Sequence, residues 1–376
     1  MISSLLVFLI LGIITYLYFT ISINALILKF DTNKIIEKPL ALIFSLALAP
    51  FITSLLLHYL LFFFPYQNAI LYVLAVISVF TFLLMISKDF IKTALKYVLS
   101  KFKFTKKNTT GELLLIDNKY VKIYQKGWII LFPNLVLVLL ILVACFFWFK
   151  QILFTPITGH DMLEYAIQGK HFAREKLIAY GPNRYHVEND FFYVGLHGFS
   201  FPLIGTWEYL FSEIFGVYKN DYLMKSISGY YSFLIFAIIY VFIKKYNIFI
   251  ALAAILLLFL NYGVSITLFS YHIDSYRIFM ILAAFAGLAL AIKFPSNITL
   301  FIFGVNTAAQ AYIHSLGVFI ALFFCFAFLI YFPGTNVQKV KKCFLLLIII
   351  LLFGGMHYIL DIFWGTGWIF QEIKYY

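Results

Sequence analysis

Asn134-Leu-Val-Leu-Val-Leu-Leu-Ile-Leu-Val-Ala-Cys145-Phe-Phe-Trp-Phe-Lys150-Gln-Ile-Leu-Phe154, followed shortly by Gly159-His160-Asp161-Met162-Leu163-Glu164-Tyr165, decides how this chain is read. The first stretch is apolar for the roughly 20 residues a helix needs to cross a bilayer. The second puts two carboxylates just beyond its end. Working outward, the whole chain repeats the first pattern. Of 376 residues, 64% are hydrophobic and 12% are charged, with a mean hydropathy of +0.97. Soluble domains are nearer half apolar and a quarter charged. The 46 Phe and 27 Tyr suit lipid-facing and interfacial positions.

Ten apolar stretches are long enough to be read as spans: 2–28, 39–64, 69–87, 128–153, 226–243, 248–269, 278–292, 298–313, 315–332 and 343–361. The 298–332 region is too long for one span and slightly short for two. It reads as a helical hairpin turning at Ala311-Tyr312-Ile313-His314-Ser315-Leu316-Gly317. The expected fold is therefore an all-α polytopic integral membrane protein. It has about ten transmembrane helices and a large outer loop carrying two interfacial helices.

Lysine placement orients the chain. Residues 88–127 hold ten lysines against three acids, which marks a cytoplasmic segment under the positive-inside rule. Alternation then puts 154–225 on the extracytoplasmic face, and a cell membrane is the expected location. The net charge of +12 is accounted for by inner loops, so no nucleic-acid partner is expected. Cys145, Cys325 and Cys343 lie in apolar stretches without metal spacing and read as small apolar fillers. No cleavable signal peptide is expected. The chain divides into an N-terminal three-span block (1–87), a basic cytoplasmic linker (88–127) and a membrane core (128–376). Residues 88–104 have the spacing of an amphipathic surface helix. Residues 112–124 read as a solvated linker or a small hairpin around Asp117-Asn118.

The loop 154–225 holds eight of the sixteen acids and four of the eight histidines. Residues 161–180 have helical spacing, with Leu163, Ile167, Phe172, Ala173 and Leu177 as the apolar face. A second interfacial helix is expected at 206–215, with Trp207, Leu210, Phe211, Ile214 and Phe215 as its apolar face. Asp161 and Glu164 have two readings. They are carboxylates held at the membrane surface for proton transfer or cation binding, or the N-cap and N3 of a capping box. His160, His171, His186 and His197 are too irregularly spaced for a strong zinc reading. Lys170, Arg174 and Arg184 could meet a phosphate or simply snorkel. Asp274 and Arg277, three apart beside His272, could pair or face a groove. His314 stands alone at the hairpin turn.

In this order the residues resemble the GT-C class of membrane glycosyltransferases, which use polyprenyl-phosphate-linked sugars. Gly159-His160-Asp161-x-x-Glu164-Tyr165 is similar to the outer acid after the first core span. Phe199–Gly216, with Pro202-Leu203 near its start, is similar to the second jaw helix. Tyr271-His-Ile-Asp274-Ser-Tyr-Arg277 resembles the acid-bearing turn before a later span, and Ala308–Gly317 the tight hairpin. The resemblance covers about 128–361. It implies Asp161 as general base, with Glu164 and Asp274 as supporting acids. Lys170, Arg174, Arg184, His272, Arg277 and His314 become substrate-binding candidates. It implies a polyprenyl-phosphate-linked sugar donor, a glycan, lipid or protein acceptor, and surrounding membrane lipids. The need for a divalent cation, Mg or Mn, is left open. A lipid or solute transporter or flippase, or a glycan polymerase or ligase using lipid-linked donors, is the alternative.

Overall fold

The computed structural model describes residues 2–31, 34–87, 120–157, 160–178, 198–217, 221–270, 272–314, 316–356 and 358–359. The described residues are helical, with no strand among them. The first helix, α1, is Val7–Phe30, continuing back through Ile2–Leu6. It is followed by α2 (Lys38–Phe63), α3 (Ala69–Ile86), α4 (Tyr120–Phe154), α5 (His160–Glu175), α6 (Ser200–Ile214) and α7 (Tyr222–Ile243). Then come α8 (Ile248–Leu260), α9 (Tyr262–Phe269), α10 (Asp274–Lys293), α11 (Asn297–Ile313), α12 (Gly317–Tyr331) and α13 (Asn336–Ile350).

Local chemistry sets several of these boundaries. The Asn247 side chain accepts the N–H groups of Phe249 and Ile250 and starts α8. Capping boxes start α11 (Ser296, Thr299) and α13 (Thr335, Gln338). Among the described residues, six helices are long and apolar enough to cross a membrane, or seven if the bent pair α8–α9 counts as one span. The straight span expected over 248–269 is instead bent by 83° at Asn261. The Asn261 side chain accepts the Val264 N–H at 3.1 Å and so begins a new helix rather than continuing the old one. Of the linker, residues 88–119 lie outside the described residues. Residues 120–124 belong to α4, which does not fit the hairpin reading there.

Hydrogen bonds sort the helix ends into two groups. At one end, Tyr66 N–H donates to Lys176 O, Lys225 Nζ to Ile152 O, Ser228 Oγ to His272 O and Gly198 N–H to Ile313 O. At the other, Lys29 reaches Ile86 O and Lys245 pairs with Glu37. The chain therefore threads back and forth, and α5 and α6 sit at the first end.

Two expectations about that end are corrected. The helix expected over 206–215 with one apolar face is α6. It is buried all round from Ser200 to Ser212 and packs against α1, α2, α3, α5, α7 and α11. A helix apolar on every side belongs in a core rather than at an interface. In α5 the apolar face read from the sequence is only partly packed against the bundle. Leu163 and Ile167 are exposed, whereas Tyr165, Ala166, Gly169, Phe172 and Ala173 are inside. The small residues Ala166, Gly169 and Ala173 let the two backbones approach. A methyl group at Gly169 would lie 2.7 Å from Pro202 O, and Thr206 Oγ1 donates to Gly169 O at 3.1 Å.

Candidate active site

The candidate residues lie at the N-terminus of α5, the start of α10 and the turn between α11 and α12, with the buried α6 packed against α5. Residues 155–157 follow α4 outside any helix, and α5 is described from His160. Because α5 begins at His160, Asp161 is its second residue and not the cap preceding it. The expected capping box is thus out of register, with both acids inside the first two turns. Carboxylates are favoured there by the positive end of the helix dipole. Glu164 is half-buried and its Oε1 accepts Gln168 Nε2 at 3.2 Å. The side chain of Asp161 lies outside what the structure describes, as does all of Arg184.

The cations of α5 have different surroundings. Lys170 Nζ lies 3.0 Å from Asp221 Oδ1, just before α7, and 5.7 Å from the centre of the Tyr209 ring. The Tyr209 hydroxyl donates to the same carboxylate. Lys176 pairs with Glu213 of α6. These pairs fasten α5 to α6 and α7, and a phosphate at Lys170 would have to compete with Asp221. Arg174 is exposed and, among the described residues, pairs with its neighbour Glu175 at 2.7 Å, a geometry that holds neither strongly. Burial lowers the His171 pKa from its ordinary value, with Glu175 opposing and Arg174 adding to the effect.

At the start of α10, Asp274 stands between two basic side chains. His272 Nδ1 is 2.8 Å from its Oδ2, and Arg277 Nη1 is 3.5 Å from its Oδ1. The spacing of three expected from sequence therefore forms a pair, with histidine as a third member. All three side chains keep partial exposure, so the triad can still meet a ligand.

His314 is buried and acts locally. It is the C-cap of α11, and its Nδ1 accepts the Leu316 N–H at 3.0 Å. Its carbonyl accepts the Gly317 N–H at 2.8 Å. A ring nitrogen of His314 thus holds the turn between α11 and α12. The segment before α6 docks on the same turn. Gly198 N–H donates to Ile313 O at 3.0 Å, and a methyl group at Gly198 would lie 1.9 Å from Tyr312 O.

One acid that the sequence did not single out is buried: Glu208 of α6 is 1% exposed. Its Oε2 accepts the Leu223 N–H at 2.6 Å, at the start of α7. Its Oε1 has no hydrogen-bond partner among the described residues. Burial pushes its carboxyl well above the usual carboxylate range; the Leu223 N–H opposes this, Asp221 adds to it and Lys225 opposes it.

Among the described residues, no three His, Cys, Asp or Glu side chains come together as a metal set, and the three cysteines are unpaired thiols. His186 and His197 lie outside the described residues. Comparison with protein-family models, curated proteins and solved structures found no match to this chain.

Proposed function

We propose that this protein is a membrane glycosyltransferase, moving a sugar from a polyprenyl-phosphate donor to an acceptor at the α5–α6 end of a bundle of about ten spans. That end is expected to be extracytoplasmic. The observation that carries this reading is the position of Asp161. It lies in the first turn of a helix that begins six residues after a membrane span ends, on a helix fastened to the core by Lys170 and Lys176. A base there is held at the depth of a lipid phosphate.

In the proposed step, Asp161 takes the proton of the acceptor hydroxyl as its oxygen forms the new bond to the anomeric carbon. The bond from that carbon to the phosphate oxygen breaks, and the lipid phosphate leaves as an anion. Arg277 and Arg174 are the cations for that charge, with His272 beside Asp274 and His314 as hydrogen-bond donors. Arg184 keeps its proposed role. Glu164 and Asp274 orient these groups, and Lys170 acts through Asp221 by holding α5. General-base catalysis of this kind contributes about 10²–10⁴-fold. No step is routed through a divalent cation.

An apolar groove of about 310 Å³ between α7 and α10, lined by Ile238, Phe242, Leu282, Phe285 and Ala289, fits a hydrocarbon chain. Its lining starts on α10 at Leu282, eight residues or about 12 Å from Asp274 at 1.5 Å per residue, and runs on toward the last turns of α7. The reading is tested with the purified protein in nanodiscs, given a radiolabelled polyprenyl-phosphate sugar. Transfer lost in Asp161→Asn supports it, and absence of transfer from every such donor removes it.

A second reading is favoured by a different observation. Glu208, Asn306 and Gln310 are buried inside the bundle, where translocators keep their coupling groups. Solute or lipid flux in proteoliposomes without sugar transfer would select it.

A further inference from the structure

The resemblance gives no role to the three N-terminal helices, but α2 enters the site's frame through two polar side chains. His58 Nδ1 lies 3.0 Å from the Tyr312 hydroxyl, and both residues are 1% exposed. That hydroxyl is also 3.5 Å from Ser54 O. Ser54 Oγ is 3.0 Å from Ser200 Oγ, which is 2.9 Å from the Tyr276 hydroxyl. The result is a buried polar chain crossing α2, α11, α6 and α10.

Each far member of the chain stands two residues from a candidate site element. Tyr312 precedes His314, Tyr276 follows Asp274, and Ser200 follows Gly198, the residue docked on the His314 turn. Aromatic contacts extend the frame to α5. The Phe199 ring meets His58 edge-on at 5.4 Å, and Phe172 of α5 meets Phe199 at 5.6 Å. Tyr231 stacks on Tyr276 at 4.3 Å. In such a dry setting a polar group that loses its partner stays buried unmatched, so the chain has one favourable arrangement. That property suits a device that fixes three turns relative to one another.

We infer that His58 is a positioning residue of the candidate site. Through Tyr312 it sets the turn carrying His314, and through the chain from Ser54 by Ser200 to Tyr276 it sets the turn carrying Asp274. The N-terminal helices are then part of the site. Only the kinetic arm of the test rests on the proposed glycosyl transfer.

The test uses the full chain in nanodiscs as wild type, His58→Leu, His58→Asn and Tyr312→Phe. Asparagine can place a polar atom near the Nδ1 position, and leucine cannot. Hydrogen–deuterium exchange is followed in peptides covering 198–200 and 314–317. The Gly198, Leu316 and Gly317 amides there make the bonds described above. His58→Leu and Tyr312→Phe are expected to speed exchange there about tenfold while α13 is unchanged, the mark of local rather than global opening. His58→Asn is expected to stay within about threefold of wild type. Unchanged exchange at these peptides, or equal acceleration through the whole bundle, overturns the inference. In the transfer assay, His58→Leu is expected to lower kcat about tenfold with KM within about twofold. Unchanged kcat alongside local loosening also overturns it. If the wild type transfers no sugar, the proposed activity fails and exchange alone decides the positioning role.

Discussion

The Glu208 carboxylate accepts the backbone N–H of Leu223 at 2.6 Å, so an acid on the most buried helix caps the start of a different one. Helix N-termini favour negative charge, while burial favours the neutral acid. Burial is the larger effect at Glu208 and raises its pKa.

A pH dependence of stability follows from that raised value. The folded state binds the Glu208 proton more tightly than the unfolded chain, whose value is about 4.3. The resulting stabilisation is full below that value and is lost as pH rises through the folded one. Glu208→Gln keeps an acceptor for Leu223 and removes the titration. Its melting temperature, relative to wild type, should therefore rise by a few degrees between pH 4 and pH 8. A difference that is flat or shrinks with pH would mean the folded carboxyl is not held neutral.

Lys170 and Asp221 form a half-exposed pair, so its loss should be modest. Lys170→Ala is expected to cost about 0.5–1 kcal/mol, read by thermal unfolding in detergent. Donor KM should change less than about twofold, because the amine already serves Asp221. A large KM increase without destabilisation would return Lys170 to the phosphate.

Gly198 leaves no room for a side chain against Tyr312 O. Gly198→Ala should cost about 1–3 kcal/mol and speed proteolysis in the 179–197 segment. A variant as stable and protease-resistant as wild type would show that the backbone contact is not maintained.

His314 gives its turn a hydrogen-bond acceptor. His314→Asn should retain most stability, while His314→Ala should cost about 1–2 kcal/mol. His314→Arg should be no better than alanine in transfer. Full activity in the arginine variant would restore the cation at this turn.

The all-helical build with long apolar helices was legible, because apolar runs act over neighbouring residues. The Asp274–Arg277 pair was legible for the same reason, being one helical turn apart. The interior of the site was not. Lys170 and Asp221 are 51 residues apart, and His58 and Tyr312 are 254 apart, distances at which no spacing rule operates. The stripe of Trp207, Leu210, Phe211 and Phe215 fits both a surface helix and a core helix. Only the neighbours of α6 decide between them, and with them the burial of Glu208. In α5 the inward face followed the small residues that permit close packing, which a count of large apolar side chains overlooks.

The most direct test of the central claim is the rate of sugar transfer by Asp161→Asn under single-turnover conditions, with folding verified by an unchanged melting temperature. With Asp161 as general base, the rate falls about 10²–10⁴-fold while donor binding persists. A folded Asp161→Asn protein that transfers sugar at the wild-type rate would contradict the account.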